Sequence, residues 1–235
     1  MAISGIIAGH PGEVNVVHIR RSGGGQTARL DKSGESLAYS GWRERAIEDL
    51  VALPPEIAAD IADVLIDRER LQARVRELGA AIARDYAGRT PLLVCVLRGP
   101  ILFLADLLRA VDIHVTVDFI AVSSYGPASH DTGVVRFTKD LDESLEGRDV
   151  ILVEDIIDTG LTLRYILRNL RGRKPASLAI CALLDKRARR LVDVDVRYVG
   201  FEIPDAFVVG YGLDYRQRYR NLPFICVLKP EIYGG

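Results

Sequence analysis

Three uninterrupted apolar runs, each too short to be a buried helix, do most to limit what this chain can fold into. Residues 92–97 lie between Pro91 and Gly99, residues 150–153 run into two carboxylates, and residues 178–184 end on Asp185-Lys186. Runs of this length without alternation read as strands buried on both faces. Between them apolar residues recur at helical spacing. Leu71, Val75, Leu78 and Ile82 mark residues 68–86 as an amphipathic helix, and 101–108 and 162–170 read as two more. Residues 115–122 add a strand, and 207–209 and 225–228 add shorter ones. Strand alternating with helix implies an α/β fold, a mainly parallel sheet with helices on both faces. Ligands of such sheets bind beyond the carboxyl ends of the strands. The residues immediately after each apolar run are therefore the ones to read for chemistry.

The formal net charge of −1 supplies no global field toward nucleic acid or an anionic membrane, so any phosphate recognition must be local. Cys95, Cys181 and Cys226 are far apart, each in an apolar run, and read as buried thiols of a reducing compartment. The start of the chain lacks the basic and apolar pattern of a signal peptide. Residues 91–108 are interrupted by Arg98, Gly99, Pro100 and Asp106 and cannot span a bilayer as one helix. A cytoplasmic protein with no membrane partner is expected. Residues 1–53, rich in Gly, Ser and Arg, read as a flexible or weakly ordered extension with a short helix near 42–50. Leu53-Pro54-Pro55 then opens the main domain, 54–235.

The most informative loop follows residues 150–153. Glu154-Asp155-Ile156-Ile157-Asp158-Thr159-Gly160-Leu161-Thr162 places two adjacent carboxylates at a strand end, then a third at a turn of Thr, Gly and Thr that enters a helix. Free amide N–H groups, hydroxyls and the helix dipole form an anion cradle, and the carboxylates can accept hydrogen bonds from vicinal ribose hydroxyls. Asp158 alone reads equally well as a helix N-cap. Two carboxylates ending a buried strand favour a ligand, because they lose solvation there unless something binds them.

This segment resembles the phosphoribosyl-pyrophosphate motif of type I phosphoribosyltransferases, in the version of the hypoxanthine-guanine enzymes. Four further segments over about residues 60–230 match in order. The resemblance implies the type I phosphoribosyltransferase fold: a twisted, mainly parallel sheet flanked by helices, with a small hood. It implies that Leu97, Arg98 and Gly99 form a pyrophosphate loop with a non-proline cis peptide, although the family usually has Lys at Arg98. Glu154, Asp155, Ile156, Ile157, Asp158, Thr159, Gly160, Leu161 and Thr162 would then hold the ribose phosphate, with Arg220 clamping pyrophosphate. Ser124 and Tyr125 would belong to a lid that excludes water. Ile156, Lys186, Phe207, Val208 and Asp214 would line the purine, Lys186 donating to its 6-oxygen and Phe207 stacking on its ring. Asp214, with Glu154 and Asp155, would serve Mg2+, and Asp158 would be the catalytic residue that accepts or shares the purine N7 proton. Taken singly, Lys186 could be an exposed turn lysine, Phe207 a core residue, Asp214 a turn residue and Arg220 a surface charge.

The expected activity is transfer of hypoxanthine or guanine onto phosphoribosyl pyrophosphate by a magnesium-dependent homodimer or homotetramer. Two alternatives stand beside it: a transferase preferring xanthine or another 6-oxopurine, and a non-catalytic nucleotide-sensing regulator of the same fold.

Overall fold

The computed structural model describes residues 16–19, 26–29, 48–124 and 135–234. They fall into two compact units divided between Ala58 and Ala59. In the first, β1 (Val16–Ile19) pairs antiparallel with β2 (Gln26–Arg29), Val16 opposite Arg29. A helical stretch at 48–51 and the one-turn helix α1 (Pro55–Ala58) follow. Proline opens α1 at no hydrogen-bond cost, because the first turn has no carbonyl partner for its missing N–H. Residues 42–47 of the expected short helix lie outside the described residues, as does most of the expected extension.

The second unit opens with β3 (Ile61–Ile66) and α2 (Arg68–Asp85). Next come β4 (Leu92–Leu97), α3 (Ile101–Ala110), β5 (Thr116–Ser124) and β6 (Val135–Lys139). The second half contains β7 (Asp149–Ile157), α4 (Leu161–Gly172), β8 (Ser177–Asp185) and β9 (Tyr198–Glu202). It closes with β10 (Val208–Val209), β11 (Ile225–Leu228) and the short α5 (Pro230–Tyr233). A six-stranded sheet runs β6-β5-β4-β7-β8-β9, parallel throughout except for the edge pair β5/β6. A smaller antiparallel sheet, β10-β11-β3, makes the hood.

Period-2 alternation sends each central strand into two cores. Leu93, Cys95, Ile151 and Val153 pack with Leu71, Val75 and Ile82 of α2 and Phe103 and Leu107 of α3. Leu92, Val94, Val150 and Leu152 pack with Leu163, Ile166 and Leu170 of α4. Each fully buried side chain of this size contributes roughly 1.5–3 kcal/mol of apolar transfer. Helix α2 starts at Asp67, whose carboxylate accepts from Arg70 N at 2.9 Å. It approaches α3 so closely that a Cβ on Gly79 would lie 2.5 Å from Ala110 O.

The alternating pattern holds, with three differences. Strand β7 does not end at Val153. It stays paired to β8 through Ile157, opposite Asp185. The ladder is set by a neighbouring backbone, so polar side chains do not stop it. Strand β6, Val-Arg-Phe-Thr-Lys, lies in a polar stretch whose sequence pattern did not mark a strand, and its charged alternation is that of a sheet edge. Strands β3 and β9 were not legible in the sequence pattern. Of the residues expected in a lid, Tyr125 lies outside the described residues and Ser124 ends β5. All three cysteines are buried and free, and burial pushes each thiol up to about 12. No helix among the described residues is long and apolar enough to cross a membrane.

Candidate active site

Two clusters form at the carboxyl-terminal ends of β4, β7 and β8, the first including the last residues of β7 itself. The first is built where three segments meet. Strand β4 ends at Leu97, and the Leu97–Arg98 peptide is cis. Gly99 then passes so near β7 that a Cβ there would sit 1.6 Å from Asp155 Oδ2. Gly212, at φ +102°, passes equally near Gly99: a Cβ on it would lie 1.9 Å from Gly99 O. Only glycine meets both demands, the left-handed backbone and the close approach. Arg220 locks the arrangement, donating from Nη1 to Gly212 O at 2.6 Å and pairing through Nη2 with Asp214 at 2.7 Å. Below it, the buried Tyr211 hydroxyl donates to Asp106 Oδ2 at 2.5 Å, and Gln72 donates to the same oxygen at 2.7 Å.

The carboxylates of this cluster are short of compensating charge. Burial, with Asp155 adding repulsion, holds Glu154 well above the usual carboxylate range. Burial pushes Asp155 up to about 6, against the Ile156 N–H that donates to it at 2.7 Å and the Arg220 charge. Oxygen-rich, anionic and under-compensated, this pair has the donor chemistry for a hard divalent cation. Among the described residues no group of three or more His, Cys, Asp or Glu forms a metal cage of its own. Glu154, Asp155 and Asp214, the residues expected to serve Mg2+, are therefore not assembled into a cage by themselves.

The second cluster lies at the start of α4. Gly160, at φ +81°, is the N-cap residue, and no side chain caps the helix. Asp158 is not the N-cap, so that alternative is removed. Thr159 Oγ1 accepts only a long contact from Leu161 N at 3.4 Å, and Thr162 is exposed on the first turn. The uncapped turn presents its amide donors outward, as an anion cradle needs. Asp158 follows directly on β7, and Arg189 Nε stands 3.4 Å from its Oδ1.

Lys186 is buried, not an exposed turn lysine. Its backbone N–H donates to Ile157 O at 2.9 Å, and its ammonium has Asp205 at 3.8 Å, beyond hydrogen-bond reach. Ile156 is partly buried against the core. Val208 is buried in β10, opposite Val227. Phe207 is partly exposed, with Tyr233 stacked at 4.5 Å on one ring face and Tyr215 edge-on at 5.6 Å. Of the residues expected from the sequence, Gly99, Asp155, Asp214 and Arg220 meet in the first cluster and Asp158, Thr159, Gly160 and Lys186 in the second, with Ile156 and Ile157 between, while Ser124, Phe207 and Val208 are not brought into contact with either. Arg189, Asp205, Tyr233 and Asp106 were not expected there. Nothing local marks them, because an arginine in an Arg-rich turn looks like any solvated charge.

An uncapped helix start and a glycine-packed cis-peptide loop thus lie at the carboxyl-terminal side of a mainly parallel sheet, the arrangement of an α/β protein with its ligand loops at the strand ends. Residues 63–216 match the phosphoribosyl transferase domain, and the chain belongs to that family. It is 52% identical over 174 residues to the hypoxanthine-guanine phosphoribosyltransferase of Bacillus subtilis, covering 74% of this chain and 97% of that one. The Mycobacterium avium protein of the same name is 49% identical over 189 residues, covering 77% and 93%. A crystal structure of a hypoxanthine phosphoribosyltransferase from Staphylococcus aureus superposes with a TM-score of 0.75 at 46% identity, over 78% of this chain and all of the other.

Proposed function

We propose that this chain transfers a 6-oxopurine, hypoxanthine or guanine, to phosphoribosyl pyrophosphate, forming IMP or GMP and pyrophosphate. The observation that carries the reading is the pairing of the two clusters across β7. Gly99 packs against Asp155 on one side, and on the other the buried Lys186, whose backbone N–H donates to Ile157 O, adjoins Asp158. In this reading the purine N9 attacks the ribose C1 as the bond to pyrophosphate breaks. Asp158 accepts or shares the N7 proton. The 5′-phosphate sits on the turn 159–162, and Glu154 and Asp155 take the ribose hydroxyls. Arg98, Gly99 and Arg220 face the pyrophosphate.

Lys186 has free donor capacity for the 6-oxygen, and a 6-amino purine would set donor against donor. The Phe207 face not covered by Tyr233 is the one available to the base, and Ile156, Val208 and Asp214 complete the residues this reading assigns to the purine. Mg2+, held by Asp214 with Glu154 and Asp155, would neutralise charge on the leaving pyrophosphate. Ser124 and Tyr125 belong to the lid. A cytoplasmic homodimer or homotetramer is the working form.

The test is product formation from phosphoribosyl pyrophosphate and Mg2+ with hypoxanthine, guanine, xanthine, adenine and uracil in parallel. The reading requires turnover with hypoxanthine or guanine. Turnover with adenine or uracil instead, or with no base, would sink it. Xanthine as the best substrate would shift it to the related 6-oxopurine transferase.

A further inference from the structure

The turn after β8 carries four charged residues within five positions, and they divide into two jobs. Asp185 is buried and takes Arg190 as a short ion pair and Arg187 at 3.3 Å. Those two arginines anchor the turn to the end of β8. Arg189, between them, points the other way. Its Nε lies 3.4 Å from Asp158 Oδ1, and its Nη1 lies 3.9 Å from Asp205 Oδ1, the same oxygen that Lys186 approaches at 3.8 Å. A chain of alternating charge, Lys186–Asp205–Arg189–Asp158, thus links the base-facing lysine to the proton acceptor.

The backbone fixes the arginine in that place. Lys186 N–H donates to Ile157 O at 2.9 Å, and Leu191 N–H and Val192 N–H donate to Thr159 O at 3.0 and 3.3 Å. The two turns are sewn together on both sides of the Asp158–Arg189 contact. A Cβ on Gly160 would lie 2.9 Å from Val192 Cγ2, so they also touch. Within this frame Asp158 is asymmetric. Its side chain is 41% exposed, yet Oδ1 is closed off from solvent with no hydrogen-bond partner among the described residues. A carboxylate oxygen desolvated in this way is costly unless a cation faces it, and the facing cation is Arg189.

We infer that Arg189 is a positioning residue for the reaction: it balances the closed oxygen of Asp158 and so presents the other oxygen to the purine. Without it, Asp158 would turn its closed oxygen toward water and lose the alignment that proton acceptance needs. The inference rests on the reading of Asp158 as proton acceptor.

The test is steady-state kinetics with hypoxanthine, phosphoribosyl pyrophosphate and Mg2+ on the full chain and on R189A, R189K, D158N and the R189A/D158N double variant. Far-UV circular dichroism checks that each is folded. Misplacing a reacting group by about an ångström can cost up to about a hundredfold. R189A, which leaves the turn's other anchors intact, is expected to lose about tenfold in kcat with both KM values within about threefold. R189K should recover most of the loss. In the D158N background R189A should have almost no further effect, because the residue through which it acts is already disabled. The inference is overturned if R189A keeps its turnover, if its loss multiplies in full with that of D158N, or if KM for phosphoribosyl pyrophosphate rises while kcat holds. A folded D158N with normal turnover would instead remove the proton-acceptor reading itself. If R189A did not fold, R189K against R189Q would decide the same question, equal turnover in both overturning it.

Discussion

Gly99→Ala probes the point where three segments of the active site touch. The new methyl carbon would lie 1.6 Å from Asp155 Oδ2 and 2.7 Å from Asp155 Cγ, far inside any real contact. Asp155 cannot swing aside freely, since its Oδ1 accepts from Ile156 N at 2.7 Å. Breaking that bond costs about 1–2 kcal/mol of stability. For a protein of this size that is a fall of roughly 2–8 °C in melting temperature. In the proposed reading the functional cost is larger, because the displaced carboxylate would no longer face the substrate. Losing one charged hydrogen-bonding partner is worth about 1.5–3 kcal/mol, so KM for phosphoribosyl pyrophosphate should rise roughly 10- to 150-fold. The KM for hypoxanthine, bound at the other cluster, should move little. Differential scanning fluorimetry and steady-state kinetics with each substrate varied in turn measure both effects. A variant with wild-type melting and an unchanged KM for phosphoribosyl pyrophosphate would refute the packing argument.

Lys186→Ala should raise KM for hypoxanthine and guanine by a similar 10- to 150-fold while leaving that for phosphoribosyl pyrophosphate nearly unchanged. An equal effect on both substrates would place the lysine elsewhere. The raised carboxyls give a pH dependence of definite sign. A folded state that holds protons more tightly than the unfolded chain gains stability at low pH, and Asp155, pushed up to about 6, does so. Its contribution, at most about 3 kcal/mol, is complete below about pH 4 and lost as pH rises through 6. Melting curves from pH 4 to 8 should therefore be flatter for Asp155→Asn than for the wild type in that window. A steeper curve would contradict the assignment. Finally, a chain beginning at Pro54 should fold and keep transfer activity within a few-fold. Size-exclusion chromatography and the transfer assay check this, and aggregation or a changed oligomeric state with lost activity would make residues 1–53 structural.

The sequence alone determined the sheet's parallel core, because runs such as residues 92–97 and 178–184 are apolar on both faces and only double-sided burial explains them. It also marked the segments proposed to face phosphate. Glu154-Asp155 and the Thr-Gly-Leu-Thr turn carry their chemistry in consecutive residues, so spacing along the chain is spacing in the site. Tertiary structure decided what depends on contacts between distant segments. Strand β7 continues to Ile157 because β8 lies beside it, which no local propensity encodes. Edge strand β6 looked like loop, since one partner strand supplies its order while its side chains stay polar. That Gly99 and Gly212 must be glycine follows from Asp155 and Gly99 O standing where a Cβ would go. Arg189 is one of several similar arginines in the chain. Only the stitching of its turn to residues 157–159 brings it against Asp158, because through-space charge pairing leaves no pattern in the order of residues.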